Sequence, residues 1–124
     1  MYQYKGKVIK VVDGDTVDIE VDLGFDVSQK MRFRLYGIDT PETKGATKIM
    51  GLKAKAYLSG LLNSHEAVFI RSFKDRSDKY GRYLATIFVE DPSASNITSI
   101  NDLLVEYGYA KPYFGEKKGG EING

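Results

Sequence analysis

One stretch limits what this chain can fold into more than any other: Arg32-Phe33-Arg34-Leu35-Tyr36-Gly37-Ile38-Asp39-Thr40-Pro41-Glu42-Thr43. It begins as a strand. Phe33, Leu35 and Gly37 alternate with Arg32, Arg34, Tyr36 and Ile38, and strand formers dominate. It has to end as a turn, because Pro41 has no N–H for a ladder and pushes Thr40 away from helical geometry. The pattern predicts a strand that stops at about Pro41 and leaves Asp39, the Thr40 backbone and Glu42 on a rim. Two carboxylates, an arginine shortly before them and a backbone held open by proline are the makings of a metal-assisted phosphate site. A charged edge strand ending in an ordinary turn reads the same way, so this stretch alone leaves both open.

The rest of the chain supplies partners for that strand. Residues 4–12 read as a strand carrying Val8, Ile9, Val11 and Val12. Asp13-Gly14-Asp15-Thr16 is a turn signal. From Thr16 the alternation is clean: Thr16, Asp18, Glu20 and Asp22 face one way, and Val17, Ile19 and Val21 face the core. Residues 23–30 lead back to the central strand and complete an antiparallel meander. A helix is expected over 47–63, capped by Thr47, with Met50, Ala54, Tyr57, Leu58, Leu61 and Leu62 on one face. Strands are expected over 66–73 and 82–90, joined by a charged turn. A polar loop follows, then a second helix over 99–107. That helix has a Ser99–Asp102 capping box and a left-handed cap at Gly108. The fold class expected is α+β, mainly β: a five-stranded oligonucleotide-binding-fold barrel with two or three helices. One domain should span 1–115, with a flexible polar tail over 116–124.

Composition narrows the chemistry. The 124 residues contain no Cys and one His. Disulfides, thiolate metal sites and histidine-rich zinc sites are excluded. The lone His65 follows a helix end and is expected to serve the terminal carbonyls there. The net charge is +1, from 18 basic and 17 acidic residues, so the chain is not a generally basic nucleic-acid binder. No apolar run is long enough to span a membrane, and no membrane partner is expected. No signal peptide is visible, which predicts a cytoplasmic protein unless a leader lies outside this sequence. A monomer is expected.

Asp13, Asp15, Asp39 and Glu42 come from two turns that a meander can bring to one barrel end. Oxygen ligands of this kind suit Ca²⁺ or Mg²⁺. An EF-hand loop starting at Asp13 fails, because its required glycine falls on Asp18. No Walker-type loop is present. Arg34 and Arg82 offer fork-shaped donors to a phosphodiester, and Glu42 can orient or deprotonate a water. Taken singly, each arginine is equally well read as a solvated or paired surface residue.

Four runs in order carry a resemblance. Val11-Val12-Asp13-Gly14-Asp15-Thr16-Val17, Phe33 to Thr43, Asp78-Lys79-Tyr80-Gly81-Arg82 and Asn101 to Lys111 resemble the staphylococcal nuclease (thermonuclease) family. The resemblance covers the chain from about Lys7 to Phe114. It implies a Ca²⁺-dependent phosphodiesterase acting on single-stranded or frayed DNA and RNA, breaking the P–O5′ bond and leaving 3′-phosphates. By resemblance, the metal carboxylates fall on Asp15 and Asp39, the metal-binding carbonyl on Thr40 and an outer-shell acid on Asp13. Glu42 matches the glutamate assigned to the attacking water. Arg34 and Arg82 match the phosphate clamps, and Lys79, Tyr80 and Tyr113 match nucleotide-contacting positions.

The departures are local. The segment between Thr43 and Gly51 is shorter than in the staphylococcal enzyme, and the hairpin around Gly24-Phe25-Asp26 is longer. That hairpin is expected either to reach over the substrate or to be structural. Tyr36-Gly37 stands where the family enzyme has two bulky aliphatic residues. The competing function is a non-catalytic nucleic-acid-binding module of the same fold. Domains of that kind usually lose the acids or arginines, and here Asp15, Asp39, Glu42, Arg34 and Arg82 are all present.

Overall fold

The computed structural model describes residues 2–77, 82–91 and 96–113. The order is β1 (Tyr2–Asp13), β2 (Thr16–Gly24), β3 (Val27–Leu35), β4 (Ile38–Asp39), a 3-10 turn (Gly45–Thr47), α1 (Lys48–Asn63), β5 (Val68–Ser77), β6 (Tyr83–Asp91), β7 (Asn96–Ser99), α2 (Ile100–Glu106) and β8 (Lys111–Pro112). Period-2 alternation turns the sequence into a core. Val17, Ile19 and Val21 of β2, Phe33 and Leu35 of β3, Val68 and Ile70 of β5, and Ala85, Ile87 and Val89 of β6 are all buried. The sheet runs β3-β2-β1-β5-β6-β7. A parallel pairing of Phe33, Arg34 and Leu35 with Tyr83, Leu84 and Ala85 joins β3 to β6. That pairing closes five strands into a barrel and covers what would be two open edges.

The helices seal and brace the barrel. α1 buries Gly51, Ala54, Leu58 and Leu62. Its expected face is therefore rotated at the start: Met50 is 60% exposed, and Gly51 takes the inward position. Thr47 stands at the N-cap, but its hydroxyl donates to the Glu42 carbonyl at 2.9 Å and caps nothing. α2 starts as expected, with the Asp102 N–H donating to Ser99 Oγ at 3.2 Å, and ends before Gly108 at φ +82°. Tyr57 of α1 stacks on Tyr109 at 4.3 Å, and burial pushes its phenol above the usual range. His65 lies 3.0 Å from the Leu61 carbonyl through Nδ1 and 3.0 Å from the Glu90 carbonyl through Nε2. It thus ties the end of α1 to β6. Among the described residues no helix is long and apolar enough to cross a membrane.

The central strand stops earlier than its alternation suggests. β3 ends at Leu35, and Gly37 adopts φ +79°, a left-handed turn that glycine takes without a Cβ penalty. The turn resets the phase, so Ile38 is buried with the core, not aligned with Arg32 and Arg34. β4 then pairs with β8, Ile38 to Pro112 and Asp39 to Lys111. Asn101 of α2, itself buried, pins this turn from behind. Its amide donates to the Tyr36 and Ala85 carbonyls and accepts from the Ile87 N–H. The expected polar loop gives way to β7 from Asn96. The tail expected over 116–124 lies outside the described residues.

The longer hairpin does not reach the acidic cluster. β2 runs from Thr16, beside Asp15, to Gly24 at the far end of the barrel. At about 3.3 Å per residue that separates the two by roughly 25 Å. Phe25 and Asp26 both have positive φ in the two-residue turn, and Phe25 is fully exposed.

The outer face of the meander is a charge ladder. Lys5 pairs across from Asp22, Lys7 from Glu20 and Lys10 from Asp18. On the other side Asp18 faces Arg32 and Glu20 faces Lys30. An acidic row of three thus lies between two basic rows that together carry five positive charges, so opposite charges face each other across every pair of strands. Arg32 is engaged here, with Nε 2.7 Å and Nη2 3.0 Å from the Asp18 carboxylate. That hydrogen bond holds the Asp18 carboxyl below its ordinary value of 3.8. The stabilisation is therefore in place above that value and lost as pH falls through the lower folded-state value. Arg32→Gln should lower Tm by a few degrees at pH 7, with the gap to the parent narrowing below pH ~3.8. Thermal melts across that range check this, and a gap that widens in acid would contradict it.

Candidate active site

The site is assembled where β1 ends, β2 begins and β3 ends. Gly14 lets the β1–β2 turn approach its neighbours closely. A Cβ there would lie 2.8 Å from Ala54 Cβ and 2.9 Å from Thr40 Oγ1. The Leu35 N–H donates to the Asp15 carbonyl at 2.8 Å, fixing the turn to the end of β3. Asp15 is thereby nearly buried. Its Oδ1 accepts from Thr16 Oγ1 at 3.1 Å. Its Oδ2 accepts from the Thr40 N–H at 3.4 Å and lies 3.5 Å from Arg34 Nη2. The same nitrogen donates to Asp39 Oδ1 at 3.1 Å. One guanidinium therefore bridges the two carboxylates. Its side chain is only 13% exposed, so the bridge is poorly screened by solvent.

The remaining expected residues take distinct places. Arg82 Nη1 donates to Thr16 Oγ1 at 2.9 Å, the hydroxyl that in turn donates to Asp15. Tyr113 lies against Arg34, whose Cζ stands 5.5 Å from the ring centroid, and its N–H donates to the Gly37 carbonyl. Asp13 does not join the bridge. It accepts from Thr43 Oγ1 at 3.0 Å and so straps down the loop beyond Pro41. Glu42 sits on that loop, exposed. Lys79 and Tyr80 lie outside the described residues. Sequence reasoning missed Thr16, Thr43 and Thr47 as organisers of the site. Threonine in a strand or loop reads as a strand former or a cap, and only the fold brings these hydroxyls to their partners.

The donors at hand are hard oxygens: the Asp15 and Asp39 carboxylates and, next along the chain, the Thr40 carbonyl. Among the described residues no three His, Cys, Asp or Glu side chains gather into a metal cage. A partial set of this kind fits Ca²⁺, which tolerates irregular geometry and completes its shell with water, and does not fit zinc. Two carboxylates against one guanidinium leave the bridge with a net negative charge that a cation would offset.

A family model described as staphylococcal nuclease homologue matches residues 32–122, from the strand that carries Arg34 to beyond Tyr113. The chain belongs to the staphylococcal nuclease family. An uncharacterized protein of Methanocaldococcus jannaschii is 35% identical over 130 residues, 89% of this chain and 59% of that protein. A protein named micrococcal nuclease from Shigella flexneri is 31% identical over 113 residues, 89% of this chain and 59% of its own length. Endonuclease YhcR of Bacillus subtilis is 31% identical over 120 residues, which are 90% of this chain and 9% of that protein. The chain thus spans well under two thirds of these relatives. The barrel with two helices is the staphylococcal-nuclease-like fold, and membership supports a nuclease or other nucleic-acid-related function.

The tight fit at Gly14 is testable. Gly14→Ala should cost about 1–3 kcal/mol in urea unfolding, because the Cβ atoms of Ala54 and Thr40 are fixed to their backbones and cannot rotate aside. A neutral result would contradict the close contact.

Proposed function

We propose that this chain is a calcium-dependent nuclease hydrolysing phosphodiester bonds of single-stranded or frayed DNA and RNA. The observation that carries the reading is the continuous run of contacts from Arg82 through Thr16 and Asp15 to Arg34 and Asp39. It sets two guanidinium forks beside two carboxylates at one barrel end, with Glu42 on the adjoining loop. The relatives named as nucleases support the same reading.

In this reading Arg34 and Arg82 hold the non-bridging oxygens of one phosphodiester and meet the charge that grows on them as water attacks. Glu42 orients the water or takes its proton. The water oxygen bonds to phosphorus as the P–O5′ bond breaks; the O5′ takes a proton from surrounding water, and the phosphate stays on the 3′ side. Asp15, Asp39 and the Thr40 carbonyl would hold Ca²⁺, with Asp13 in the outer shell, and the ion would supply Lewis-acid polarisation of the phosphoryl group. Tyr113, beside Arg34, lines the place for a base, with Lys79 and Tyr80 as further nucleotide contacts.

The test is cleavage of denatured DNA with Ca²⁺ and with a chelator, product ends mapped, for the parent and Glu42→Gln. The parent should cut only with the ion and leave 3′-phosphates. Glu42→Gln should lower turnover by about 10²–10⁴-fold while still binding DNA. DNA binding without cutting would favour the binding-module alternative, and full activity in Glu42→Gln would remove that residue from the chemistry.

A further inference from the structure

We propose that Thr47 and Gly51 are positioning residues that fix Glu42 through the backbone on which it stands. The inference rests on the nuclease reading above. Glu42 is exposed, so the place of its carboxylate depends on how firmly its own peptide is held. Thr47 Oγ1 donates to the Glu42 carbonyl at 2.9 Å. Gly51, in the first turn of α1, presses the helix backbone against the same peptide. A Cβ at Gly51 would collide with the Glu42 carbonyl oxygen and lie 2.8 Å from the Pro41 carbonyl oxygen. These are backbone atoms that cannot rotate out of the way. On the far side of Glu42, Thr43 is tied to Asp13. The peptide is therefore held from three directions, two of them supplied by the N-cap and first turn of α1.

α1 also provides the reference for the other half of the site. Ala54, one turn beyond Gly51, is fully buried where Gly14 of the Asp15 turn packs. Leu58 and Leu62 anchor the rest of the helix in the barrel core. The first turns of α1 thus hold the Glu42 loop and the Asp15 turn against one rigid element. Small side chains at 51 and 54 set the spacing between them.

The experiment is steady-state cleavage of denatured DNA with Ca²⁺ by the parent, Gly51→Ala, Thr47→Val, Thr47→Ser and Gly60→Ala. Gly60 has nothing within 4 Å of where a Cβ would stand and controls for a change in the helix itself. Gly51→Ala should lower kcat by about 10²-fold with KM within about twofold. Thr47→Val should lower kcat roughly tenfold, with Thr47→Ser restoring it, and Gly60→Ala should match the parent. In a Glu42→Gln background the same substitutions should change kcat by no more than about twofold, since the group they position is already disabled. A parent that cuts while Gly51→Ala and Thr47→Val keep its kcat would overturn the inference and leave the nuclease reading standing. So would losses of equal size in the Glu42→Gln background. If Gly51→Ala does not fold, the Thr47 pair decides. A parent that does not cut removes both proposals together.

Discussion

A single guanidinium sets the arrangement at the acidic end of this barrel. Arg34 stands between Asp15 and Asp39, two acids contributed by different turns. Brought together without it, the carboxylates would repel each other in a region where water screens weakly. With it, the β1–β2 turn and the start of β4 have a reason to meet. Arg34 is in turn placed by the barrel itself, with Thr16 of β2 on one side and Leu84 of β6 on the other. The pairing that closes the barrel therefore also fixes the residue that gathers the acids. Removing this one charge would take a partner from a nearly buried carboxylate, Asp15, and from a partly exposed one, Asp39, which costs more than losing a surface ion pair.

The other elements divide the remaining work. The core strands give a stiff frame. α2, through Asn101, holds the Tyr36 turn so that β4 can deliver Asp39. α1 supplies a large-residue end that packs in the core and a small-residue end that lies against the Glu42 loop and the Asp15 turn. On the meander's outer face the acids of β2 stand between the bases of β1 and β3, with Arg32 bound to Asp18. The long hairpin with its exposed Phe25 sits at the opposite end and does not cover the acids.

Much of this was legible in the sequence because it is local. The alternation of β2, the Asp-Gly turn, the spacing of Ala54, Leu58 and Leu62, the Ser99 cap and the Gly108 terminator all depend on neighbours a few residues away. The failures have physical causes of a different kind. A period-2 pattern cannot register a turn that resets its own phase, so Gly37 hid the early end of β3 and the burial of Ile38. Met50 matched the helical period, but the helix turns Gly51 inward because the Glu42 backbone leaves no room for a side chain there. The β3–β6 closure and the β4–β8 pairing join segments far apart in the chain, and no local signal announces them. The acids and arginines of the site were legible as residue types. Arg82 was paired with Arg34 from residue chemistry and the resemblance to the nuclease family strengthened that pairing, whereas the link through Thr16 from Arg82 to Asp15 came only from the fold.

The measurement that bears most directly on the account is a Ca²⁺ titration of the chain followed by amide NMR. The account predicts one saturable set of shifts confined to Gly14, Asp15, Asp39, Thr40 and their immediate neighbours, abolished by Asp39→Asn. The Phe25 hairpin and the acidic row of Asp18, Glu20 and Asp22 should not move. Shifts centred on that acidic row, or no saturable change at the Asp15 turn, would contradict it.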